Sequence, residues 1–193
     1  MELDNKQFEF IKPLIWEEVF KIWEDSEINQ VHWQEHYKKK GFGSWLDWRK
    51  KYIEPIKAMN KDWKLVKIIN PLKSVPNLHG GPYNGWKNFY EDKNLPKFIE
   101  MKEHPISGDY LKALPAKTTI IAWNTEIGIV IIEGMHRCAA ITKAAKEKQD
   151  IKLDLNMAIA DCLFSDIPDF RKKKEFTNEE AKRIARPPCL SGL

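Results

Sequence analysis

The sequence is short of cysteine: three in 193 residues, Cys138, Cys162 and Cys189, with no C-x-x-C spacing. A small, odd and scattered set argues against a disulfide framework and fits a reducing compartment. Long hydrophobic runs are also lacking, and none approaches the ~20 apolar residues that a membrane span needs. The start carries Glu2 and Asp4 and shows no signal-peptide pattern, so a cytoplasmic location without membrane contact is expected. A large excess of one charge is lacking as well, with 32 Lys and Arg against 28 Asp and Glu. The formal net charge of +4 permits nucleic-acid contact without arguing for it.

Aromatic residues are abundant by contrast. Eight tryptophans occur, five of them before Lys50, within a chain that is 42% hydrophobic. That content is adequate for a buried core. Residues 7–60 read as helical. Pro13 suits a first helical turn; Ile15, Val19 and Ile22, and then Trp16, Phe20 and Trp23, give a wide apolar face. Ser26 is the expected cap of a second helix over Val31 to Tyr37, and Ser44 of a third bearing Trp45, Trp48 and Tyr52 up to Pro55. These aromatics are expected to pack the helical layer onto a core, with a stacking platform for bases as the sharper alternative. His32, Glu35 and His36 spell H-x-x-E-H, a zinc-protease spacing, but no third ligand stands out and an ordinary histidine pair is expected.

Trp63 to Ile69 alternates as a strand, closed by Asn70-Pro71. Lys73 to Asn94 is too punctuated by Pro76, Gly80, Gly81, Pro82 and Gly85 for regular structure. Its Tyr83, Trp86, Phe89 and Tyr90 argue for a substrate-facing loop or lid. Pro96 to Glu103 reads as a short helix and Asp109 to Ala113 as a further turn. Thr118 to Trp123 and Ile127 to Ile132 form an expected hairpin around Asn124-Thr125-Glu126, and Leu153 to Ala160 is a last strand. In the tail, Arg171 to Lys174 is a basic run, and Thr177 with Glu180 makes a capping box before a helix that Pro187-Pro188 stops.

The chemistry concentrates in Ile127 to Ala145. An apolar β-branched run ends at Glu133-Gly134, and an Ala-rich helix follows through Lys148. Glu133, Gly134, Met135, His136 and Arg137 therefore sit at a strand-to-helix turn. A helix start offers unpaired N–H groups and a positive dipole end. Gly134 lets a ligand approach the backbone, while Arg137 and His136 supply side-chain donors. Together they describe a phosphate cradle.

The stretch EGMHRCAAI resembles the Gly-x-His-Arg signature of the ParB/sulfiredoxin-like fold. VKIINPLKSV is similar to the first strand and turn of sulfiredoxins, and KFIEMKEHP to the next helix. The resemblance covers about Asp62 to Asp161. It implies an α+β fold, a small mixed sheet with flanking helices, to which this chain adds an N-terminal helical layer. The expected divisions are 1–60 for that layer, 61–164 for a nucleotide-binding core and 165–193 for a tail. The resemblance further implies ATP or another nucleoside triphosphate, with Mg²⁺, at the signature loop. Gly134, Met135, His136, Arg137 and, more loosely, Lys97 become nucleotide-binding candidates, Glu133 and His136 catalytic ones, and Glu133 a metal ligand. Met135 stands where sulfiredoxins carry their reactive cysteine, and a thioether cannot replace a thiolate. The free serine kinase branch is then the nearer one, although Met135 also replaces its second histidine. A phosphotransferase or nucleotide hydrolase acting on a small or peptide-like substrate is expected. The alternatives are a nucleic-acid-processing protein on the same fold and a non-catalytic interaction module.

Overall fold

A computed structural model describes residues 3–54 and 57–169, with the backbone alone for 51–53. It is a mixed α+β structure built on a five-stranded sheet of order β1-β2-β5-β3-β4. The strands are β1 (Phe8–Leu14), β2 (Trp63–Ile68), β3 (Lys117–Thr125), β4 (Gly128–Glu133) and β5 (Asp154–Asp161). Only β3 and β5 run parallel; the other neighbours are antiparallel.

The central strands are buried on both faces, and their side chains alternate between two cores. Ile121 and Trp123 of β3, with Ala158 and Ala160 of β5, face one; Ile120 and Ala122, with Leu155, Met157 and Ile159, face the other. The first core is covered by α1 (Trp16–Glu27), α2 (Val31–Lys39) and α3 (Trp45–Ile53). Val19, Trp23, Trp45 and Trp48 pack there against Trp63 and Trp123. The expected role of the early tryptophans as packing residues is what this layer shows. A base-stacking platform is not available from Trp23, Trp45 and Trp48, which are at most 4% exposed.

The expectation of helix from residue 7 is corrected at its start. Phe8–Leu14 is a strand, pairing from Phe8 opposite Ile68 to Leu14 opposite Trp63. Pro13 lies in this strand and not in a helical turn. The sheet edge tolerates its missing N–H, and an irregularity between Phe10 and Lys12 adjusts the register. The helical stripe begins one residue later than read: Val19 and Trp23 are buried, whereas Ile15 is 62% exposed. A division at residue 60 would part β1 from the strand it pairs with.

Ser26 is corrected as well. It lies inside α1, where its hydroxyl donates to the Trp23 carbonyl at 2.8 Å, and α2 starts after Gln30. Ser44 caps α3 as expected, accepting from the Asp47 N–H at 3.1 Å. Inside this layer Glu27 and Arg49 form a buried pair. Arg49 Nε donates to Glu27 Oε2 at 2.8 Å, Trp45 Nε1 donates to the same oxygen at 2.8 Å, and the guanidinium lies 3.8 Å from the Trp48 ring centre.

The opposite face carries α4 (Pro71–Ser74), α5 (Ser107–Lys112) and α6 (Met135–Lys146), together with the segment from Val75 to Met101. That segment is a packed part of the core and not a loose lid. His79 bonds to the outer edge of β4, its N–H donating to the Ile129 carbonyl at 2.8 Å and its carbonyl accepting from the Ile131 N–H at 3.0 Å. Trp86 and Tyr90 are 6% and 1% exposed. The expected helix at Pro96 to Glu103 shrinks to one 3-10 turn, Phe98–Glu100, because Met101 is already extended. The expected Asp109 turn is α5. The hairpin turn is the two residues Glu126-Ile127 in place of the three read, because β3 runs on to Thr125, and Gly128 supplies the left-handed φ of 119° after it. The basic run 171–174, the Thr177–Glu180 box, Pro55 and Cys189 lie outside the described residues.

Candidate functional site

The strand-to-helix turn forms where it was expected. β4 ends at Glu133, and Gly134 caps α6 with φ 101° and ψ 17°. A Cβ on Gly134 would lie 2.5 Å from Ile120 Cγ2, so glycine is required both by the backbone and by the close approach to β3. No side chain caps the helix, and the first helical bond runs from the Cys138 N–H to the Gly134 carbonyl at 2.9 Å. The N–H groups of Met135, His136 and Arg137 therefore have no acceptor among the described residues.

The side chains of the signature do not converge on one point. Arg137 turns toward the sheet. Its Nη1 donates to Thr118 Oγ1 at 2.5 Å and to the Thr119 carbonyl at 2.9 Å, while Nη2 is bonded to the Glu133 carboxylate. Glu133 and Arg137 are 10% and 14% exposed at the side chain. Burial pushes the Glu133 carboxyl above its ordinary range, and the Arg137 charge beside it pulls the other way. The expected grip of Arg137 on a phosphate thus meets a guanidinium already engaged on two nitrogens. The expected base or metal-holding carboxylate of Glu133 is turned to Arg137.

His136 turns the other way, toward α5. Its ring stacks on Tyr110 with centroids 4.9 Å apart and planes 25° apart, and lies 4.9 Å from both Trp86 and His104. Nδ1 is buried and has no hydrogen-bond partner among the described residues. Burial in this ring cluster, helped by His104, pushes its pKa down to about 4, so the imidazole is neutral at pH 7. Met135 is buried beneath the glycine-rich segment, its Sδ accepting from the Gly81 N–H at 3.2 Å. Lys97 reaches the neighbourhood through its backbone, which is bridged to His79. Among the described residues no hydrogen bond or ion pair joins its side chain to the turn.

Sequence reasoning passed over Thr118, His104 and Tyr110. Thr118 carries no signal of its own. His104 and Tyr110 are separated by Pro105 and a turn, and only the fold brings them together over His136. Cys138 sits inside α6, where burial pushes its thiol up to about 12, far from a reactive thiolate. His32 and His36 lie on α2, packed beside Trp33 and Trp48 respectively. Among the described residues no three His, Cys, Asp or Glu side chains cluster as a metal site, and no helix is long and apolar enough to cross a membrane. No protein-family model, no curated protein and no solved structure matches the chain.

The neutral His136 gives a pH dependence of defined sign. The folded pKa of about 4 lies below the ordinary 6.5, so between these values the unfolded chain binds the proton and the folded one does not. Stability is then full above pH 6.5 and falls as pH drops toward 4, by on the order of 3 kcal/mol over the window. His104, also lowered by burial, adds in the same direction. Urea titrations at pH 7 and pH 4.5 should show this slope, and His136→Phe should flatten it. An equal slope in the variant removes His136 as the cause.

Proposed function

We propose that this chain is a nucleotide-binding enzyme of the ParB/sulfiredoxin-like type, a phosphotransferase or nucleotide hydrolase that takes ATP with Mg²⁺. What supports the reading most is the start of α6. Three successive amides, those of Met135, His136 and Arg137, lack acceptors among the described residues, just after a left-handed glycine packed on Ile120. An anion there meets both the N–H groups and the positive end of the helix. The order β3, β4, turn, α6, β5 is compatible with the resemblance, although the helix it implies at KFIEMKEHP is here only the Phe98–Glu100 3-10 turn, and α4 and α5 also lie between β2 and β3. In this reading Arg137 is a positioning residue, bracing the turn against Thr118 and Thr119, and not a direct phosphate ligand. His136 contributes its amide and a neutral ring.

The test is titration of the labelled protein with ATP and Mg²⁺, followed by the amide resonances of 134–138. Saturable shifts confined to that turn are expected. At 100 times its dissociation constant the nucleotide should stabilise the fold by ~2.7 kcal/mol. If ATP, CTP and GTP all leave both the resonances and the melting temperature unchanged, the proposal fails. A second reading is favoured by the closed Glu133–Arg137 pair: a module that holds nucleotide without turning it over. Bound ATP that survives for hours without hydrolysis or transfer would select it.

A further inference from the structure

The two edges of the sheet differ. β4, at one side, is bonded along its outer edge through the backbone of His79. β1, at the other, has β2 on its inner side and no strand beyond it among the described residues. Between the buried Phe8 and Leu14, every residue of β1 from Glu9 to Pro13 is exposed. Two of these are large and apolar, Phe10 at 60% and Ile11 at 45% exposure. An edge of this kind is a template for a further strand.

The charges around that apolar pair complement each other when the strand is reversed. The stretch reads Glu9-Phe10-Ile11-Lys12, so an antiparallel copy sets Lys12 opposite Glu9 and Ile11 opposite Phe10 at either end. The faces agree as well. Residues three apart on a regular strand point to opposite faces, which would forbid the match. Here the irregularity at Ile11 shifts the phase. Glu9 stands opposite Lys67 and Lys12 opposite Leu65, and these two, separated by one residue on β2, share a face. Glu9 and Lys12 therefore lie on the same face. Glu9 has no ion pair among the described residues. Lys12 holds Glu18 at 2.6 Å, but its side chain is 51% exposed and an ammonium has three donors. Lysine, proline and bulges also serve to blunt edges. In this edge the lysine is matched by a carboxylate, and Pro13, which has no N–H, lies just past the match and limits its length.

We propose that β1 is a self-association surface, on which a second copy of this chain adds its own β1 antiparallel to the first about a two-fold axis between Phe10 and Ile11. The two five-stranded sheets become one continuous sheet. Glu9–Lys12 pairs flank a centre made of Phe10 and Ile11 from each copy, and opposite charges directly across two strands favour the pairing. The contact is isologous, so it uses up both β1 edges; with β4 bonded to His79 in each copy, growth stops at the dimer. The paired stretch is short beside a standard interface of ~1,600 Å², so the dimer is concentration-dependent and not permanent. No residue of the α6 turn takes part, and the inference is independent of nucleotide binding.

Sedimentation velocity on the full chain at low salt, from ~1 μM to ~1 mM, should show a monomer–dimer equilibrium. Glu9→Lys sets lysine opposite lysine at both ends of the match and should weaken dimerisation by about tenfold; Lys12→Glu sets glutamate opposite glutamate and should do the same. An equimolar mixture of the two variants restores both opposite-charge pairs and should dimerise about as well as the parent, as a heterodimer. Both positions are exposed, and circular dichroism matching the parent shows that the variants are folded. The inference is overturned if the parent sediments as a monomer throughout, as it will where another segment takes the edge. It is overturned too if Glu9→Lys associates as the parent does, which places the contact elsewhere, or if the mixture associates no better than either variant alone.

Discussion

Replacing Glu27 by alanine should cost ~3–5 kcal/mol of folding stability, the largest loss we expect from any single change in the helical layer. The reason is the partner left behind. Arg49 is 5% exposed and is surrounded by Trp23, Trp33 and Trp48, with its Nε and Nη2 directed at Glu27. Guanidinium–ring attraction offsets part of the lost ion pair, but a cation–π contact contributes about 0.5–2 kcal/mol and cannot replace a charge-assisted pair. Trp45 Nε1 also loses its acceptor. Urea denaturation followed by circular dichroism gives the number directly. The double variant Glu27→Leu, Arg49→Met should recover most of the loss, because removing both charges removes the burial penalty as well. A single variant within ~1 kcal/mol of the parent would mean that the tryptophan cage alone holds Arg49.

Gly134→Ala should destabilise by ~2–5 kcal/mol. A left-handed backbone costs a residue with a Cβ about 1–2 kcal/mol, and forcing a methyl into packed surroundings typically adds about 1–3. Here the methyl would lie 2.5 Å from Ile120 Cγ2, a branched side chain fixed in the sheet. Ile120→Ala removes the Cγ2 obstacle, leaving a Cβ at 3.1 Å and the backbone cost. The two substitutions should therefore be sub-additive, with Gly134→Ala costing less in the Ile120→Ala background. Strict additivity in a double-mutant cycle would place the whole cost in the backbone. The same variant bears on the proposed anion site, since a shifted turn moves the amides of 135–137.

How much of this could be read beforehand follows from the strength of each local signal. β4, the turn and α6 were legible because a β-branched run, a glycine and an Ala-rich segment point the same way. β5 and the hairpin were legible for a similar reason. β1 was not. Seven residues containing a proline, joined directly to a periodic helix, look like the first turn of that helix; only pairing with β2, far along the chain, makes them a strand. The five early tryptophans could be assigned to a packed layer, although their partners Trp63 and Trp123 could not be named.

The strand-to-helix turn was legible in the sequence, and the directions of its side chains were not. His136 and Arg137 are adjacent, and neighbours on a helix point about 100° apart. They cannot both address one ligand through their side chains unless the helix starts after them, and α6 starts at Met135. Glu133 and Arg137 stand four apart, the spacing at which opposite charges meet. That pairing was written in the sequence beside the phosphate reading and competes with it. His104 and Tyr110 could not be placed over His136 without the fold, because nothing in the spacing of 104, 110 and 136 implies proximity.

The pairing of β1 with β2 also bears on how the chain assembles. Leu14 meets Trp63 only after α1, α2 and α3 have been traversed, so the outermost ladder of the sheet closes around the whole helical layer. Such non-local closure carries an entropic cost before any contact repays it, and chains rich in it fold slowly. Until that ladder forms, β2 presents bare N–H and C=O groups beside Trp63, the kind of template on which another chain can add a strand. A helical layer that collapsed onto Trp63 and Trp123 before the ladder closed would shorten that exposed interval, giving the tryptophans a protective part during folding beside their place in the finished core.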